Sequence, residues 1–400
     1  MFRDIIVLTP VYVSFFWALT FLLNRFSANR ARYWLGIFMA VVAVLYTCHA
    51  LFFYNMKTVY LAVDFMYLMA GLLVYPIYYI YIRLLTLDLY LKRSYLLHFL
   101  PAVVLGIAMW LAHRYATPAD RGLYYDNVLI NNNWKVHDAT SGFLALTSIF
   151  YLSRILFGIQ ALGYLIMGIH LVKKYNRRVV NFYSNTEGRE LKWVHLLTAS
   201  FLITSALSSV ANLMGRGMFL ENSILLLFPS LLFSSLFFVI GYLGNRQDFT
   251  ISSFDDDNCE EAGEWMNQST PQDEKLKTKL ISLMENKKRF LDPDLKITDL
   301  CKELNTNRTY ISNLINSDFG VNFNDLINGY RVEYAKDLIR NGREKELSVQ
   351  AIAAESGFGS LSSFTRAFKK NTGTTVAMFK NQMAGVHRGS SGRHISQMSD

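Results

Sequence analysis

The sequence predicts an all-α chain in two parts: a polytopic bundle of seven transmembrane helices, then an all-helical domain holding two helix-turn-helix units. Three observations carry this. Apolar residues crowd the first 245 positions, in seven windows close to the ~20 residues that a bilayer-spanning helix requires. From 246 to 272 the composition turns acidic and polar, with Pro271 near its end. Beyond that, one helical unit occurs twice at a nearly constant offset.

The windows are 5–23, 34–53, 60–85, 96–112, 144–172, 193–214 and 224–243. The first follows a single base, Arg3, and no small-residue cleavage site ends it, so it reads as a retained helix rather than a signal peptide. An odd number of spans puts the termini on opposite faces. Alternate loops carry twelve bases on one side, from Arg25, Arg30 and Arg32 through Arg83, Lys92 and Arg93 to the group between Lys173 and Lys192. The other side has six: Arg3, Lys57, Arg114, Arg121, Lys135 and Arg216. The positive-inside rule then places the N-terminus outside and the C-terminal half in the cytoplasm.

Charge is unevenly shared. Residues 1–250 hold 20 Lys/Arg against 10 Asp/Glu, while 251–400 hold 20 against 21, so the net +9 belongs to the apolar half and is no evidence for nucleic acid. Residues 273–400 alone have 20 bases against 15 acids, a surplus compatible with phosphate contact. Cys48, Cys259 and Cys301 fall in an apolar run, the acidic stretch and a cytosolic helix, so no disulfide is expected.

Tyr33, Trp34, Tyr95, Trp110, Trp193 and Tyr242 sit at span ends, as interfacial aromatics do. Asp64 and Arg154 lie several residues inside the third and fifth spans, where charge demands a partner or a cavity. They are candidates for an outward-opening ligand pocket. The competing reading has Arg154 snorkelling from a shorter helix that starts near Ile155, with Asp64 interfacial. His49, His98, His170 and His195 lack the paired spacing of a metal site and read as structural. Ser200, Thr204 and Ser208 form a polar stripe suited to close helix packing or to a pocket wall. The outer loop from His113 to Gly142 is long enough to be a lid or a plain connection.

After the acidic stretch, Leu276, Leu280 and Met284 recur at helical spacing, and Asp292-Pro293 ends that run. Then Ile297, Leu300, Cys301 and Asn305 match Val349, Ile352, Ala353 and Gly357 at an offset of 52. After one inserted residue the offset is 53, pairing Asn307 with Ser360, Ile311 with Phe364 and Ile315 with Phe368. In each copy a small residue, Cys301 or Ala353, lets two helices approach. Four positions on, Asn305 or Gly357 tolerates the left-handed backbone of a tight turn. Asn307 or Ser360 then caps the second helix. Opposite its buried stripe that helix carries Arg308, Thr309, Ser312, Asn313 and Asn316, or Ser362, Ser363, Thr365, Arg366 and Lys369, followed by Lys370. Such side chains read base edges or hold phosphates. Between the copies, residues 323–340 form a helix that fixes their separation.

Residues 275–380 therefore resemble the DNA-binding domain of the AraC/XylS family of bacterial transcription regulators. The segments IAAESGFGSLSSFTRAFKKNTGTT and RVEYAKDLI carry the likeness. The resemblance implies two recognition helices in successive major-groove segments. Thr309, Ser312 and Asn313, then Ser362, Ser363 and Arg366, would face bases, with Lys369 and Lys370 on phosphates. Two departures stand out: Thr375-Val376 where the family often has Thr-Pro, and Phe379-Lys380 where it often has an aromatic-Arg pair. Asn313 and Asn316 also occupy positions where bases are common, so each copy should bind modestly and dimerisation or clustering would compensate.

The front half is similar to the multi-helix membrane regions that some bacterial AraC-like regulators carry instead of a soluble sugar-binding domain. The expected organisation is a membrane domain at 1–245, a linker at 246–272, a DNA-binding domain at 273–382 and a disordered tail at 383–400. Within the DNA-binding domain the units span about 297–317 and 349–371. The implied protein is a one-component receptor in the bacterial cytoplasmic membrane. Its partners would be double-stranded DNA, the lipid bilayer, RNA polymerase, a small-molecule or membrane signal and a second copy of the chain. A transporter or channel with a regulatory tail, and a passive anchor, are the alternatives. Catalytic, P-loop and Cys-x-x-Cys signatures are absent, so neither enzyme activity nor a metal or cofactor is expected.

Overall fold

The computed structural model describes residues 2–23, 29–87, 92–137, 139–191, 193–214, 216–221, 223–247, 273–341 and 347–391. Of the expected linker, all but Arg246 and Gln247 lies outside these residues, as do Cys259 and 392–400. Every regular element among them is helical. The chain divides into two compact units, Met1–Lys174 with Leu191–Phe254, and Tyr175–Glu190 with Asp255–Asp400.

In the first unit, α1 (Phe2–Leu22), α2 (Arg30–Phe53) and α3 (Lys57–Thr86) are followed by α4 (Leu100–Tyr115) and the short α5 (Pro118–Leu123). Then come α6 (Ser141–Val180), whose last residues from Tyr175 belong to the second unit, α7 (Trp193–Met214), α8 (Gly217–Glu221) and α9 (Leu227–Asn245). Near-continuous apolar sequence is compatible with helix because a helix satisfies its own backbone donors and acceptors within one segment. Six helical stretches among the described residues are long and apolar enough to cross a membrane; in place of the sixth expected span, α7 offers a shorter apolar run, Trp193–Ser208.

Tight approaches set the packing of these helices. A Cβ on Gly241 of α9 would overlap the Trp17 indole of α1, so only glycine allows that contact. The loop between α4 and α6 is part of the core: Tyr124, Tyr125, Val128 and Leu129, in a π-helical turn after α5, are buried against Phe52, Tyr60 and Phe143. Thr117 and Asp120 cap α5 reciprocally, the Asp120 amide donating to Thr117 Oγ1 at 3.2 Å. Because α6 begins at Ser141, Arg154 lies well within it, and the helix start near Ile155 is not found.

The second unit contains α10 (Asp273–Glu285), α11 (Ile297–Leu304), α12 (Arg308–Asp318), α13 (Phe323–Arg340), α14 (Val349–Glu355), α15 (Leu361–Thr372) and α16 (Val376–Ser391). α16 continues past Gln382 into the stretch expected to be disordered. The later half has its own core, built from Val332 and Ile339 of α13, Ile352 and Ala353 of α14, Phe364 and Phe368 of α15, and Phe379 of α16. Ile297, Leu300, Ile311, Ile315 and Ile327 are buried in the earlier half. Both halves thus use the apolar stripes that the repeat defines.

Candidate functional site

The two helix pairs share one turn. Asn305 ends α11 at φ 52°, ψ 54°, and Gly357 follows α14 at φ +80°. The Thr306 amide donates to the Cys301 carbonyl and the Phe358 amide to the Ala353 carbonyl, each at 3.0 Å across five residues. This is the Schellman closure, and in both copies the left-handed residue is the one expected at the turn, Asn305 or Gly357. Asn307 then accepts from the Tyr310 amide at 3.1 Å and Ser360 from the Ser363 amide at 3.1 Å, capping α12 and α15. Cys301 and Ala353 are buried at the crossings.

On the open face of α12, Thr309, Asn313 and Asn316 are exposed and Ser312 half-buried; on α15, Ser362, Thr365, Arg366, Lys369 and Lys370 are exposed. Some of these groups already have intradomain work. Arg366 donates through Nε to the Ser362 carbonyl at 3.2 Å, which lays its guanidinium along its own helix. Lys370 donates to Asp325 at 2.6 Å. Ser363 Oγ donates back to the Ser360 carbonyl at 2.9 Å, and Thr365 to the Leu361 carbonyl at 3.0 Å. Arg308 lies over the Phe182 ring, 5.2 Å from its centroid.

A family model described as a helix-turn-helix domain matches residues 300–382, which include both turns and both capped helices. The C-terminal domain is of the AraC/XylS type. The AraC/XylS-type domain is 35% identical over 88 residues to the TCP pilus virulence regulatory protein of Vibrio cholerae, a stretch covering 22% of this chain and 30% of that protein. YtdP of Bacillus subtilis, named as an uncharacterized HTH-type transcriptional regulator, is 25% identical over 91 residues, covering 23% of this chain and 11% of that one. The chain thus spans less than a third of the length of these curated relatives. Among solved structures, the C-terminal domain of AraT, a response regulator from Geobacillus stearothermophilus, is 24% identical, covers 29% of this chain and 88% of that one, and has a TM-score of 0.24.

The AraC/XylS-type domain contains a piece that its sequence segment does not. Phe182, Tyr183 and Ser184, just after α6, are 0%, 0% and 1% exposed. The Ile297 amide donates to the Phe182 carbonyl at 2.9 Å, and the Ser184 amide to the Leu295 carbonyl at 3.1 Å. Arg331 of α13, 1% exposed, holds the same segment. Its Nη2 donates to Ser184 Oγ at 3.1 Å and to the Asp292 carbonyl at 2.6 Å, its Nη1 to the Ser184 carbonyl at 3.3 Å, and its Nε to the Phe290 carbonyl at 2.7 Å. Burial lowers the guanidinium to about 10, with Asp292 and Asp294 opposing the shift, so it stays charged at neutral pH. Asn324 adds a donor to the Ser184 carbonyl at 2.7 Å. Beyond this anchor, Glu187 accepts a hydrogen bond from Ser360, the capping residue of α15.

Sequence reasoning missed Phe182, Tyr183, Ser184, Glu187 and Arg331. The charge count assigns residues 173–192 to a loop, and two adjacent aromatics in a polar stretch are the one signal of burial there.

In the first unit, Arg154 lines a cavity of about 380 Å³, together with His49, Tyr67 and Arg216 and a larger set of apolar side chains. Asp64 does not line it: 2% exposed, it accepts from Tyr124 at 3.1 Å and pairs with His113 at 3.2 Å. The two charges singled out by sequence therefore have different surroundings. Thr204 and Ser208 line the cavity and Ser200 does not. His49 is hydrogen-bonded to Tyr67 at 3.1 Å and His98 to Tyr164 at 2.8 Å.

Proposed function

We propose that this chain is a transcription regulator embedded in the bacterial cytoplasmic membrane, with its N-terminus outside. Its AraC/XylS-type domain binds duplex DNA from the cytoplasmic side. The observation that carries the DNA-binding reading is the repeated turn, in which two capped helices each present a polar face beside a buried stripe. Thr309, Ser312 and Asn313 on α12, with Ser362, Ser363 and Arg366 on α15, face bases. Lys369 and Lys370 meet phosphates, and Arg308, Ser360 and Thr365 flank the contact. RNA polymerase and a second copy of the chain are the protein partners of such a regulator. The curated relatives, both named as regulators, support this role.

The bundle supplies the signal, and the segment after α6 transmits it. Residues Tyr175–Glu190 belong to the DNA-binding unit, yet Tyr175 to Val180 are the last turns of α6. A shift of this helix end either carries the domain with it or breaks the hydrogen bonds of Ser184 to Arg331 and Asn324. Glu187 at the cap of α15 places a carboxylate where a phosphate would otherwise meet a helix N-terminus. Releasing that contact favours DNA.

The test uses the full chain in sealed membrane vesicles of both orientations, incubated with labelled promoter fragments. Binding confined to inside-out vesicles, with steep salt dependence, supports the proposal. Binding to right-side-out vesicles, or none at low ionic strength, removes it. Replacing 1–174 and 191–254 by unrelated spans separates sensor from passive anchor: regulation that persists unchanged identifies an anchor.

A further inference from the structure

We propose that the cavity of the first unit binds a single-chain amphipathic anion, an acyl chain with one carboxylate-like head group, and that Arg154 and Arg216 hold that head. The inference rests on the reading of the bundle as a sensor and supplies the class of its signal. At about 380 Å³ the cavity lies near the small end of ligand sites, roughly 300–1,000 Å³, which suits one chain and not a two-chain phospholipid. Most of its wall is apolar, contributed by residues such as Val42, Leu72, Phe157 and Phe233.

Among the described lining residues the charged ones are cationic, beside neutral hydroxyls and phenols such as Tyr67, Thr204 and Ser208. Two arginines line the cavity, and no Asp or Glu is among its described lining residues. Arg216 is 6% exposed and donates to the phenols of Tyr67 at 3.0 Å and Tyr60 at 3.4 Å. Arg154 lies over the rings of Phe150 and Tyr67, 4.7 and 5.4 Å from their centroids, and its Nε is buried with no acceptor. Asp64, the buried carboxylate of this region, is turned to His113 and Tyr124. A guanidinium among apolar side chains is costly where a donor goes unmet, as at Arg154 Nε, and its planar fork of donors matches a carboxylate. An anionic head with an apolar tail satisfies both halves of the wall at once.

The experiment measures binding of radiolabelled palmitate to the full chain in discs of zwitterionic lipid, with hexadecanol and hexadecyl phosphate as competitors. The account expects saturable binding, hexadecanol weaker by about tenfold to a hundredfold, and Arg154→Gln reducing the difference between acid and alcohol by at least about tenfold of that range, Arg216 supplying the rest. Equal competition by the alcohol, or unchanged selectivity in Arg154→Gln, overturns the proposal. Hexadecyl phosphate stronger than palmitate would reassign the head group from carboxylate to phosphate and overturn the class as stated. Because Arg154→Gln can perturb folding, Gly71→Leu provides a second route. Gly71 lines the cavity, and a Cβ there meets only Leu45 Cδ1, at 3.9 Å. It should abolish palmitate binding while leaving the melting temperature of the protein close to wild type; retained binding overturns the proposal. Promoter binding by the same samples is read in parallel. Saturable palmitate binding with no effect on DNA would sink the sensor reading alone, and no palmitate binding in a protein that still responds to another membrane signal sinks the ligand class alone.

Discussion

Replacing Arg331 by methionine tests how tightly the segment after α6 is built into the DNA-binding unit. The substitution keeps an unbranched side chain but removes the donors that reach Ser184, Phe290 and Asp292. Two of the three carbonyls retain a partner: Asn324 still serves Ser184, and the Leu295 amide still serves Asp292 at 3.3 Å. Only the Phe290 carbonyl is orphaned outright, costing about 1–3 kcal/mol. Loss of the charge-assisted bonds to Ser184 and Asp292 adds a similar amount, and relief of guanidinium desolvation offsets part of it. The net loss should be about 2–4 kcal/mol. Because three of the acceptors are backbone carbonyls, they cannot be removed along with the arginine, so the swap does not reach the near-neutral outcome sometimes seen when a whole buried ion pair is replaced. Arg331→Lys should lose nearly as much, since one ammonium cannot span three carbonyls. Hydrogen exchange at the Ile297 and Ser184 amides, which close the contact with Phe182 and Leu295, is the assay. Exchange faster by roughly thirtyfold or more is expected for about 2 kcal/mol of local opening. Unchanged exchange at both amides would refute the claim that Arg331 holds the segment.

Arg366→Ala should weaken specific binding by roughly 1–3 kcal/mol and flatten sequence preference at one position, read by competition between operator variants. Lys369→Ala should weaken binding to all sequences alike and reduce the slope of log affinity against log salt by about one; Lys370→Ala should do less, because that ammonium is already given to Asp325. Glu187→Gln should raise DNA affinity, measured by fluorescence anisotropy on the full chain, since the carboxylate at the α15 cap is removed. Gly357→Ala should destabilise the second helix pair by more than about 1 kcal/mol in a urea melt. Its φ is +80°, and an added Cβ would come within 2.6 Å of the Phe290 carbonyl.

The helix pairs were legible because their determinants are local. A small residue, a left-handed turn residue and a capping side chain at fixed spacing specify each turn, and Asn305, Gly357, Asn307 and Ser360 adopt the geometry that spacing implies. Apolar run length likewise marks the long apolar helices, although α7 offers only a short apolar stretch among the described residues. The attachment of Phe182–Ser184 to α13 was not legible. It depends on a contact about 147 residues apart in sequence, made by an arginine whose neighbours in the chain are those of an ordinary amphipathic helix. Asp64 and Arg154 illustrate the same limit. Their burial cost was readable from hydropathy, but only the fold reveals that His113 and Tyr124 take up Asp64 while Arg154 faces a cavity. Arg216, assigned by charge counting to an outer loop, proves to be a buried wall residue.

The central claim is that one chain both resides in the membrane and grips DNA through its paired helices. Cross-linking the full chain to genomic DNA in intact cells, then recovering the DNA from washed membranes, tests it most directly. The account expects a small set of promoter fragments to co-purify with the membrane fraction, and to disappear in a chain carrying Asn313→Ala and Arg366→Ala. Recovery of those fragments only with soluble protein, or their persistence in the double variant, would contradict it.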